Sequence, residues 1–223
     1  MACFSSVKVM LVLVAAIQLV SGQKVALKPA PPNVTCWIRG DPHMKTFINV
    51  TITDQMESYG TLARHESKKI CDGMRFYVFA DFTNLDPPTV NVTYLTGVRI
   101  IAHDLNADEG VTLLFRGTKV FKTDYTKSSG GTYRLDNIKW MAGRFAKEEI
   151  PITPKTPLSF LSNQLTVTKD RNGVIEATTD KCAFKVTYDH SRTFTEVTFP
   201  LVDEGDAIGV CGLGYDAWRR TVA

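Results

Sequence analysis

Apolar residues form one long run in this chain, and it lies at the start. Val9 to Val20 is apolar except for Gln18, follows Lys8, and gives way to Ser21-Gly22. A charged start, an apolar middle and small residues at its end predict a secretory signal peptide over residues 1–22, cleaved before Gln23. The run is well short of the roughly 20 residues that cross a bilayer. Nothing like it follows, so no membrane span is expected. Residues 23–35 contain Lys-Pro-Ala-Pro-Pro without periodicity and predict an extended, polyproline-like leader.

From Cys36 the pattern is that of strands. Arg75 to Phe82 (RFYVFADF) is aromatic and apolar on both parities, as in a strand buried on both faces. Gly97 to His103, Val111 to Arg116 and Leu165 to Lys169 are short runs of the same kind. Cys182, Phe184, Val186 and Tyr188 share one parity while Ala183, Lys185, Thr187 and Asp189 share the other, which predicts a half-buried strand. Thr193 to Leu201 continues as another. Turn signals lie between the runs: Asp86-Pro87-Pro88, Asp108-Glu109-Gly110, Ser128 to Gly131, and Arg171-Asn172-Gly173. The Asn-Gly pair is a strong hairpin signal. No helix of three turns is evident, and there is no internal repeat. The expectation is one all-β domain, an antiparallel sandwich or barrel.

Composition narrows the function classes. A chain that is 44% hydrophobic and 22% charged is globular, not a disordered tail. Its net charge of +3 is too weak to argue for nucleic acid or an anionic membrane as partner. Cys3 leaves with the signal peptide. Cys36, Cys71, Cys182 and Cys211 remain, an even set that predicts two disulfides with three connectivities open. No two of them have zinc-ligand spacing. Three sequons, at Asn33, Asn49 and Asn91, are candidate N-glycan sites and agree with a secreted, extracellular address.

Cys36 to Phe47 reads CWIRGDPHMKTF, and Gly209 to Gly214 reads GVCGLG. Together they resemble the von Willebrand factor type D domain, which opens on Cys then Gly-Asp-Pro-His-x-x-Thr-Phe and closes on Val-Cys-Gly-Leu-Cys-Gly-Asn. The resemblance brackets residues 36–214 and leaves 215–223, with Arg219-Arg220, as a basic tail. It implies an antiparallel two-sheet β fold with disulfide-tied ends. It also implies the pairing: Cys36 and Cys211 sit in the two motifs and should join, leaving Cys71 to Cys182.

The departures bear on chemistry. The family commonly has an acidic calcium ligand after Thr-Phe, and here that position is Ile48. Of the family's acidic loop only Asp216 remains. Calcium takes six to eight oxygens, so the family's calcium site is expected to be lost and no metal or other cofactor is expected. The closing Cys-Gly-Leu-Cys is reduced to Cys211-Gly212-Leu213-Gly214. That and the absence of following cysteine-rich modules argue against a disulfide-linked gel former.

His43, His65, His103 and His190 share no metal-binding spacing, and Asp81, Asp104 and Asp136 lack a partnered nucleophile. No Gly-x-Ser-x-Gly or phosphate-loop pattern occurs. Some relatives cleave themselves at Asp-Pro. The Asp41 carboxylate is placed to attack its own carbonyl, Pro42 is a good leaving group once protonated, and His43 is a candidate proton donor. A turn that simply starts a strand is the alternative at Asp41-Pro42. The expected function is that of a structural or interaction component, binding other extracellular or matrix proteins in a matrix, secretion, egg coat or mineralised layer. The alternative is a secreted oxidase acting on a small apolar molecule, since some secreted crustacean luciferases contain type D domains.

Overall fold

The computed structural model describes residues 33–40, 43–53, 59–65, 71–85, 92–126, 148–200 and 210–212. They form fourteen strands: β1 Asn33–Arg39, β2 His43–Lys45, β3 Thr51–Thr53, β4 Tyr59–His65, β5 Met74–Leu85, β6 Val92–Asp104, β7 Glu109–Arg116, β8 Lys119–Thr126, β9 Glu148–Ile150, β10 Leu158–Phe160, β11 Leu165–Lys169, β12 Ile175–Thr178, β13 Lys185–Asp189 and β14 Phe194–Pro200. One 3-10 turn, η1, covers Val210–Gly212.

The strands make two sheets. The first has eight in the order β10-β11-β12-β13-β14-β1-β2-β3, and the second has six in the order β4-β5-β6-β7-β8-β9. Each pairing is antiparallel, so the fold is the all-β, two-sheet arrangement that the pattern and the resemblance led one to expect. In the first sheet β14 pairs with β1, placing Asn33 opposite Pro200 and Arg39 opposite Phe194. Residues 33–35, read from the sequence as the end of the leader, are already paired strand. The reason is parity: Val34 is buried with Cys36 and Ile38, and only the register with β14 reveals it.

The inner faces of the two sheets supply one core. Phe76, Val78, Ala80 and Phe82 of β5 meet Val186, Val197 and Phe199 of the first sheet. Four rings run through it. Phe76 stacks on Phe184 at 3.8 Å between centroids, Phe184 lies 5.6 Å from Phe199, and Phe199 lies 5.8 Å from Phe47. Offset aromatic contacts of this kind add to the burial of large apolar surfaces. The other parity of β5 is buried too: Tyr77, Phe79 and Ile101 form a small separate cluster. That accounts for the continuous apolar texture of RFYVFADF. Cys182 and Phe184 precede β13 instead of lying in it. The Asn172-Gly173 hairpin is present, with Gly173 at a φ of 87° and the Asp170 carboxylate accepting from the backbone of Asn172 and Val174.

Candidate functional site

The two sequence motifs meet. Cys36 is bonded to Cys211 with 5.6 Å between Cα atoms, and Cys71 to Cys182 with 5.0 Å. These are the pairs the resemblance implied. Beside the first bridge, the Phe47 N–H donates to the Cys211 carbonyl at 2.9 Å. Residues 46–50 close a tight turn there: Thr46 is fully buried, its N–H donates to the Val50 carbonyl, and its hydroxyl accepts from the Val50 N–H. Ile48 in this turn packs against the core. The position that carries an acidic residue in the resembled family therefore does apolar work here. Two disulfides belong to an oxidising compartment.

Asp41, Pro42, Asn91, Asp136 and Asp216 lie outside the described residues, as do residues 1–22, expected to be a signal peptide, and 215–223, expected to be a basic tail. The chain on either side of Asp41-Pro42 is described. Gly40, at a φ of 59°, donates its N–H to the Thr193 carbonyl at 2.9 Å, and His43 opens β2 opposite Arg39 with its side chain exposed. Asn33 and Asn49 are exposed, the latter in the turn before β3 with a φ of 64°. Both asparagines are exposed, where a glycan can be attached, although Val34 of the first sequon is buried.

The acids Asp81 and Asp104, which the sequence leaves without a partnered nucleophile, are placed apart and are hydrogen-bonded within the fold. Asp81 is opposite Gly97 and Asp104 is opposite Met74, toward opposite ends of the β5–β6 pair. Asp81 Oδ2 accepts from Arg99 Nε at 3.0 Å and Nη2 at 2.9 Å, with Arg116 Nη2 at 3.6 Å. Asp104 Oδ1 accepts from the N–H groups of Asn106 and Ala107 and Oδ2 from the Gln164 amide. Asp104 caps the turn that ends β6, and Asp81 ties the middle of β5 to Arg99 of β6. The histidines are also separate: His65 lies on β4, His103 is 4.0 Å from Asp108, and His190 Nδ1 is 3.2 Å from the Tyr188 hydroxyl. Among the described residues no three His, Cys, Asp or Glu side chains converge as metal ligands. No helix among them is long and apolar enough to cross a membrane.

What the sequence reading missed is the outer face of the first sheet. On β1 the burial alternates, so Trp37 and Arg39 face away from the core that Cys36 and Ile38 enter. Trp37 stands opposite Glu196 on β14 and Lys45 on β2, and Arg39 opposite Phe194 and His43. A hollow of about 230 Å³ opens at this end of the sheet, lined by Arg39, Arg192 and Phe194. Arg192 is held there by Asp189, whose Oδ2 lies 3.4 Å from its Nε. The alternation in NVTCWIR was the available signal.

Fold and bridges together define a class: an all-β protein of two antiparallel sheets whose ends are tied by disulfides. No family model matches the chain, nor does any curated protein.

Proposed function

We propose that this chain is a secreted glycoprotein of the type D kind, and that it acts as a structural or interaction component of an extracellular matrix or secretion. The observation that carries the reading is the aromatic packing between the sheets among the described residues. The column Phe76, Phe184, Phe199 and Phe47, with Tyr188 and Phe115 also fully buried, occupies the space between the sheets. An oxidase for an apolar substrate needs a lined cavity with convergent polar groups. A sandwich packed with its own side chains instead meets other molecules at its surface. The leader sequence, the two bridges and the exposed Asn33 and Asn49 support the extracellular part of the reading.

The test is to locate the mature protein in its native tissue by proteomics of sequential extracts. Enrichment in the insoluble extracellular fraction is expected. Recovery mainly as a freely soluble protein with oxygen-consuming activity on an apolar substrate would contradict the proposal.

A further inference from the structure

The outward side chains of the first sheet are polar almost throughout. Thr198 lies between Thr35 and Lys185 in one row, and Thr187 beside Glu196 in the next. Against that background Trp37 and Phe194 are two half-buried aromatic residues, diagonal to each other on neighbouring strands β1 and β14. Neither residue is a core position, since both share the parity of exposed Asn33, Thr35 and Arg39.

The charges on this face are unevenly matched. Glu176 is bridged to Lys185, and Asp189 is engaged by Arg192. Arg39 and Lys45 make no ion pair among the described residues, while Glu196 is the one further acid beside Trp37. Among the described residues the hollow is lined by Arg39, Arg192 and Phe194, and the Asp189 carboxylate lies 3.4 Å from Arg192 Nε without lining it. Guanidinium groups recognise carboxylate and sulfate through charge-assisted, often bidentate, hydrogen bonds. A volume of about 230 Å³ suits one small ring, below the size of a drug-like site.

From these observations we propose that the outer face of the eight-stranded sheet binds an acidic glycan, a chain of sugars bearing carboxylate or sulfate groups. The C–H face of a sugar ring lies on Trp37 or Phe194, its acidic group reaches Arg39 and Arg192, and threonine hydroxyls spaced about 4.8 Å apart across the strands meet its hydroxyls. The Asn33 sequon is at the far end of β1, about 20 Å from Arg39, so a glycan attached there leaves the hollow open. This deepens the reading of the chain as an extracellular interaction protein and rests on it.

The test titrates the secreted full-length protein at physiological salt with four probes: a hyaluronan octasaccharide (carboxylate only), a heparin octasaccharide (sulfate and carboxylate), a neutral N-acetylglucosamine hexamer and a polyglutamate peptide. Calorimetry should show binding of at least one acidic octasaccharide, and the first two arms separate carboxylate from sulfate recognition. Binding should weaken by about tenfold or more in Arg39→Gln and in Arg192→Gln, and stay unchanged in Lys119→Gln on the other sheet. Tryptophan emission should change on binding, and this change should vanish in Trp37→Phe. Equal affinity for polyglutamate, indifference to Arg39→Gln, or no binding of either acidic octasaccharide would overturn the proposal. A protein that fails here yet is found in the insoluble matrix loses this face alone; one found only in soluble fluid loses the broader reading.

Discussion

Tyr188 links the core to the end of the sandwich. Its side chain is fully buried, its hydroxyl donates to the Thr96 carbonyl at 3.0 Å, and burial is the main cause pushing its pKa up to about 12. The Gly117 backbone and Arg116 pull it back down, while Asp81 and Asp189 push it further. Folding favours the neutral phenol, so this contribution to stability is whole below the ordinary pKa of about 10 and falls as pH rises from 10 toward 12. Denaturant midpoints compared at about pH 9 and about pH 11.5 should drop more in the native protein than in Tyr188→Phe; equal drops would contradict this assignment. Asp81 shows the limit of reading single residues. It was visible as an acid near a strand end, but its partner Arg99 lies 18 residues away, and their meeting depends on the β5–β6 register and on the shift between Asp81 and Phe82. Position in the sequence reveals the charge and leaves the counter-charge hidden.

At the scale of elements, long strands were legible and short ones were not. β5, β7, β11 and β14 announce themselves by β-branched and aromatic runs, whereas β2, β3, β9 and β10 have three residues each, too few to display a period. β6 extends from Val92 to Asp104, beyond the run from Gly97. Gly97 marks the reason its middle looked like a start. A Cβ there would stand 2.9 Å from the Phe115 carbonyl oxygen of β7 and 3.4 Å from Leu114. The neighbouring backbone cannot give way cheaply, so Gly97→Ala should destabilise by about 1–3 kcal/mol, the range for overpacking. Equilibrium denaturation checks it, and an unchanged midpoint would mean that β6 and β7 separate easily at this point. The outer binding face was legible only in part. Alternation in β1 is in the sequence, but the neighbours of Trp37 and Arg39 come from β2 and β14, and the second of these is over 150 residues away.

For the whole molecule, the turn at residues 46–50 predicts independence from calcium, because Ile48 packs into the core where the resembled family places an acid. A ligand stabilises in proportion to RT ln(1 + [L]/Kd). The Tm in millimolar calcium and in chelator should therefore agree within about two degrees, and a rise of about ten degrees would contradict that expectation. The bridges set the larger frame. They span 175 and 111 residues and join β1 to η1 and the turn before β5 to the approach of β13. In the chain-entropy model each contributes about 5 kcal/mol, less any strain. They also fix which segments meet, and so bear on topology and compartment together. The direct measurement is non-reducing peptide mapping of the protein recovered from a secreting cell. A chain beginning at Gln23, with Cys36 joined to Cys211, Cys71 joined to Cys182 and no free thiol, is the predicted result. A Cys36–Cys71 peptide, or free thiols in a retained leader-bearing chain, would contradict the account.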